Sequence, residues 1–149
     1  KQDNISAAFE IEVTEILRKV PMFSGIGEAE RELIGGYLRP KTVPRGTAII
    51  KQGQAGDSMF LIARGVVRVS RVDNGNSRDL ATLMAGDFFG EMALLHRDPR
   101  TATVRAITPS SLYELRRDDL DQVIEKYPDM RKALEEADQQ RKAQLVEQS

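Results

Sequence analysis

Residues 89–103, FGEMALLHRDPRTAT, carry the side chains with the most chemistry in the shortest span. Gly90 is followed at once by an acid, Glu91. A short apolar stretch follows, then a polar turn ending at Pro99, and then Arg100 leads into small and β-branched residues. A helix opening after Gly90 leaves the amides of Met92, Ala93 and Leu94 without intrahelical acceptors, and the helix dipole there favours an anion. A guanidinium matches phosphate oxygens by charge and by its planar fork of donors. Together these groups make a site for a phosphate with a carboxylate beside it. In a strand, Arg100 would share phase with Ala102, Val104 and Ala106 and begin on a small, apolar face. A buried guanidinium there needs an anion. The residues alone leave two candidates open: Glu91, as an internal ion pair, or a ligand.

Composition narrows the chemistry around that site. The chain has 149 residues, enough for one domain or one domain with flanking helices. Its 22 basic and 23 acidic residues give a net charge of −1, which argues against a nucleic-acid surface. No apolar run approaches the ~20 residues that span a bilayer, and no signal peptide is visible. There are no cysteines, so disulfides and thiolate chemistry are excluded. No acid/base pair with a nucleophile and no metal cluster is visible, so binding rather than catalysis is expected, with no catalytic and no metal-ligating residues. His96, the only histidine, sits in a polar turn and reads as a surface residue. The chain opens on Lys1 rather than Met, from which we expect a piece of a longer protein.

The elements that must hold the site follow from periodicity. Phe9, Val13, Ile16, Leu17 and Val20 have helical spacing over 9–20, interrupted by Pro21. A second helix is expected over 28–38, weakened by Gly35 and Gly36. From 41 to 116 short apolar runs recur between turn signals. Strands are expected over 41–43, 48–51, 59–63, 66–72, 77–84, 102–107 and 111–116, with one short helix over 91–95. This spacing points to a sandwich, roll or barrel. Phe60, Leu61 and Val69 read as core, with a pocket wall as the other option. Gly53, Gly56 and Gly65 read as turn glycines. Helix returns over 117–126, with Asp118 and Asp119 in its first turn. After Pro128 a very polar helix covers 129–147, too sparse in apolar positions to pack firmly without a partner or ligand.

The cassette resembles the phosphate-binding segment of the cyclic nucleotide-binding domain family, whose pattern is F-G-E-[LIM]-A-L, a short turn, then P-R-[TSA]-A-[TSV]. Phe89-Gly90-Glu91-Met92-Ala93-Leu94 and Pro99-Arg100-Thr101-Ala102-Thr103 match it throughout. The resemblance extends upstream. A strand, G-x-x-G-D, strand, G signature is matched by Ile49-Ile50, then Gly53 to Asp57, then the run 59–62 and Gly65. The entry L-x-x-[VI]-P-x-F is matched by Leu17 to Phe23. The resemblance implies an α+β fold: an antiparallel, jelly-roll-like β-roll over 41–116 with a short internal phosphate-binding helix, an N-terminal helical segment over 1–40, and C-terminal helices over 117–149 including a lid.

It also implies roles. Arg100 pairs with the cyclic phosphate, and Glu91 accepts from the ribose 2′-OH. Gly90, with the helix start at Met92 and Ala93, supplies backbone contacts. Thr101 places a hydroxyl near phosphate and base, with Phe89 and Ala102 completing the ligand-binding set. Arg141, and after it Leu145, are the lid candidates. Arg131 reads as solvated charge. The expected ligand is cAMP, with cGMP also bound. Ligand binding would favour the state with the last helix closed, by its differential affinity. The expected effector is a covalently linked bacterial membrane channel, so a cytoplasmic domain of a membrane protein, homotetrameric in full and without nucleic-acid partners. The alternatives are a regulatory module of a cAMP-controlled enzyme, or a transcription factor without its DNA-reading part.

Overall fold

The computed structural model describes the backbone of residues 13–148 and the side chains of 13–137 and 139. Backbone contacts divide the chain into two compact units, Leu38–Arg117 and a helical unit formed by residues on either side of it.

The first unit is the β-roll. Its elements are β1 (Arg39–Val43), β2 (Ala48–Ile50), β3 (Ser58–Arg64), β4 (Val66–Asp73), β5 (Asn76–Met84), β6 (Phe88–Phe89), a one-turn helix (Met92–Leu95), β7 (Thr103–Ala106) and β8 (Ser110–Arg116). They form two four-stranded sheets, ordered β1-β8-β3-β6 and β2-β7-β4-β5. Every pairing is antiparallel. The two inner faces make one core. Val43, Phe60, Ile62, Phe89 and Leu112 come from the first sheet, and Val67, Val104 and Ala106 from the second. Ile49, Ile50, Val69 and Leu83 close its margin. This is a jelly-roll-like α+β fold, as the resemblance implied.

Turn chemistry sets the register. Asn74 and Gly75 both take positive φ, 53° and 81°, and link Asp73 to its partner Asn76. That is the two-residue hairpin loop whose twist suits the flanking strands. Gly65, at φ 102°, joins β3 to β4, and a Cβ there would lie 2.8 Å from Pro109 O. Gly86 and Asp87 bracket Ile62: Gly86 N–H donates to Ile62 O (2.8 Å), and Ile62 N–H donates to Asp87 O (2.9 Å).

The helical unit holds residues 13–19 (α1), a 3-10 turn at Pro21–Phe23, Glu28–Tyr37 (α2) and Asp129–Gln148 (α5), with all but the first residue of Arg117–Lys126 (α4). The one-turn helix in the roll is α3. Glu30 reaches back to the N–H of Gly27 (2.6 Å), half of a capping box that starts α2. Asp118 and Asp119 open α4 and Lys126 closes it, in the sense the helix dipole favours. Gly25 leaves room for Ala133 of α5, whose Cβ lies 3.6 Å from where a glycine substituent would sit. Among the described side chains of α5, only Met130 and Leu134 are buried.

Two expectations change. The strand foreseen over 102–107 begins at Thr103, and Arg100 lies before it in an irregular segment. The reason is hydrogen bonding: Arg100 N–H donates to Gln54 O and Gly53 N–H donates to Arg100 O, both 2.8 Å. The chain at Arg100 therefore pairs with the β2–β3 loop. The two-residue strand β6 was not foreseen, because residues 88–89 carry no alternation to read. Phe9 of the first expected helix lies outside the described residues.

Candidate functional site

Arg100 is placed by the β2–β3 loop, the first residue of β3 and Gly90. Its backbone pairs with Gly53 and Gln54, and its guanidinium donates from Nη2 to Ser58 O (2.7 Å) and from Nη1 to Gly90 O (3.1 Å). Two glycines make the space. A Cβ on Gly56 would lie 2.7 Å from Arg100 Cδ and would overlap the guanidinium itself. Gly90 takes φ 81°, and a Cβ there would lie 2.9 Å from Arg100 Nη1. Any larger residue at either position would displace the arginine.

The guanidinium is half-buried, and burial pulls its pKa below the ordinary value. Asp57 opposes that shift most strongly, Arg117 adds to it, and Glu91 and Glu114 oppose it more weakly. The group stays charged at any working pH. It is a half-buried cation whose described hydrogen bonds run to neutral carbonyls, an arrangement that suits an anionic ligand oxygen. A cavity of about 180 Å³ adjoins it, lined by Arg100, Gly56, Asp57 and Ser58, and also by Lys41 and Glu114. Glu91, Thr101 and Ala102 do not line this cavity.

The rest of the cassette sorts by environment. Glu91 is the N-cap residue of α3, and its side chain is buried without capping the helix. Phe89 is a core residue, stacked on Phe60 with ring centroids 5.3 Å apart. Ala93 is buried, Met92 and Thr101 are exposed, and Ala102 is partly buried. Of the three amides expected to face an anion, two are engaged in turn bonds. Ala93 N–H donates to Gly90 O (3.2 Å) and Leu94 N–H to Glu91 O (3.1 Å). Both bonds reach three residues back, the tightened 3-10 kind that satisfies otherwise open donors at a helix end. The side chains of Arg141 and Leu145 lie outside those described.

Sequence reasoning missed three residues. Gly56 was read as a turn glycine, yet it is the space that Arg100 occupies. Asp57, quoted only within a motif, is the acid acting most strongly on Arg100. Arg117 donates to Ala93 O (2.7 Å), Gly56 O (2.8 Å) and His96 O (3.2 Å). No spacing rule announces an arginine whose acceptors are main-chain carbonyls distant in sequence.

A two-sheet roll with a one-turn helix and a loop-held arginine defines a class of ligand-binding regulatory domain. The family model for the cyclic nucleotide-binding domain matches residues 40–127, and the chain belongs to that family. It is 44% identical over 101 residues to a cyclic nucleotide-gated potassium channel of Rhizobium etli, covering 68% of this chain and 27% of the channel. It is 39% identical over 108 residues to a cAMP-dependent protein kinase regulatory subunit of Yarrowia lipolytica, covering 72% of this chain and 28% of that protein. The match thus spans little more than a quarter of either relative. Among solved structures, the catabolite activator protein of Thermus thermophilus superposes with a TM-score of 0.69 at 34% identity, over 85% of this chain and 61% of that one. Among the described residues, no helix is long and apolar enough to cross a membrane.

Proposed function

We propose that this domain binds cAMP, with cGMP also bound, and that binding gates an attached effector without catalysis by the domain itself. The observation that carries the reading is Arg100, a half-buried guanidinium held by carbonyls in a gap that Gly56 and Gly90 leave open. The cyclic phosphate takes the charge of Arg100, and the ribose 2′-OH donates to Glu91. The cassette match from Phe89 to Thr103 and the relatives' own names support this ligand class. Calorimetric titration with cAMP and with 2′-deoxy-cAMP tests it: the deoxy ligand binds more weakly to the wild type, and equal affinities would remove Glu91 from the ribose.

The effector is a membrane channel, to which the domain is covalently joined on the cytoplasmic side, in a homotetramer. The 44% identity to a bacterial channel favours this. The 39% identity to a kinase regulatory subunit supports the second reading, a regulatory module of a cAMP-controlled enzyme. Switching acts through α5, whose described part buries only Met130 and Leu134. Ligand binding favours a closed state of that helix by differential affinity. Hydrogen exchange along 129–147 with and without cAMP reads this directly. Unchanged protection at saturating cAMP would rule out α5 as the lid.

A further inference from the structure

The described side-chain hydrogen bonds of Arg117 run to main-chain carbonyls, and all of these belong to segments beside Arg100. Its side chain donates to Ala93 O and His96 O, within and just after α3, and to Gly56 O in the β2–β3 loop. Its own N–H donates to Asp57 O at 2.7 Å. It therefore holds both carbonyls of the Gly56–Asp57 pair. Gly56 supplies the space in which the Arg100 guanidinium lies, and Asp57 acts on that guanidinium more strongly than any other acid. Arg117 does not line the cavity beside Arg100. Its charge also works against the charge of Arg100. A direct electrostatic purpose and a structural purpose thus pull in opposite directions, and the hydrogen bonds show the second. A guanidinium with five donors in a rigid fork serves several carbonyls at once, which an ammonium cannot do in the same geometry.

We propose that Arg117 is a positioning residue for phosphate recognition. It clamps the Gly56–Asp57 segment to α3 and so holds the gap in which Arg100 meets the ligand. Arg117 is also the first residue of α4, so the clamp and the start of that helix are one residue. This rests on the reading of Arg100 as the phosphate ligand. The clamp acts on ligand affinity through Arg100 and not through any contact of its own.

The test is a double-mutant cycle on this chain, with cAMP affinity measured by calorimetry and folding checked by thermal unfolding. The variants are Arg117→Gln, Arg100→Gln and both together. Arg117→Gln is expected to weaken cAMP roughly tenfold or more, the loss typical of hydrogen bonds from a charged group. In the Arg100→Gln background the same change is expected to cost little, because coupled residues are not additive. Arg117→Lys serves if Arg117→Gln does not fold, because an ammonium keeps the charge but cannot serve Ala93 O, Gly56 O and His96 O in the same geometry. It should show the same non-additivity. Additive losses, or wild-type affinity in a folded Arg117→Gln, would overturn the positioning role while leaving cAMP recognition intact. A wild type that does not bind cAMP would overturn the functional reading and this role together.

Discussion

Strands β3 and β5 lie in the same roll and differ in almost every respect. β3 is interior to its sheet, between β8 and β6, and its first six residues are buried. β5 is the edge of the other sheet, pairs only with β4, and is exposed along nearly its whole length. Leu61 is fully buried, whereas Leu80 and Met84 are 46% and 55% exposed. The difference places rigidity where recognition needs it. β3 begins at Ser58, whose carbonyl accepts from Arg100, and its partner β6 leads directly into Gly90 and Glu91. A strand held on both sides fixes both carbonyls, of Ser58 and Gly90, to which the Arg100 guanidinium donates. β5 carries no such group, and its exposed apolar side chains cost the fold nothing that packing must recover.

That contrast is breakable by mutation. The largest effect is expected for Leu61→Ala, a buried deletion on β3 that should cost about 2–5 kcal/mol of stability in chemical denaturation. A loss no larger than that of a surface residue would show that β3 is not the rigid wall. Next is recognition of the sugar. The wild type should prefer cAMP over 2′-deoxy-cAMP by about 1.5–3 kcal/mol, the range for a hydrogen bond to a charged group. The preference should shrink in Glu91→Ala, as titration of both proteins with both ligands will show. On β5, Leu80→Ala should change stability by no more than about 0.5 kcal/mol, as for surface substitutions. A cost like that of Leu61 would erase the distinction between the strands.

The smallest effect lies in the helical unit. Bonds from Arg31 and Arg18 hold the Glu28 carboxyl below its ordinary pKa of 4.5. A depressed folded-state value means that this carboxylate stabilises above the ordinary value, and that the gain is lost as pH falls through the folded value. Glu28→Gln should therefore be slightly less stable than wild type at neutral pH. The gap should close in acid, and an acid-unfolding series on both proteins will show whether it does.

How legible the molecule was in its sequence follows from the same physics. Strand positions came through because the runs are short and bounded by turn residues such as Asn74-Gly75. The family was legible because Gly90, Glu91 and Arg100 lie close enough in sequence to be read as one motif. The surroundings of Arg100 were not legible. Its backbone partners Gly53 and Gln54 lie more than forty residues earlier and bind through main-chain atoms, which no side-chain pattern encodes. The role of Gly56 depends on what approaches it, and that is a tertiary fact. The two engaged amides of α3 were not legible either, because their acceptors are the main-chain carbonyls of Gly90 and Glu91.

The central claim is that Arg100 carries ligand charge. Calorimetric titration of cAMP into wild type and Arg100→Ala, each verified as folded by thermal unfolding, tests it most directly. The account predicts that the wild type binds and that the variant loses about 2–5 kcal/mol of affinity, as when one partner of a buried charged contact is removed. A folded Arg100→Ala protein that binds cAMP as tightly as wild type would contradict it.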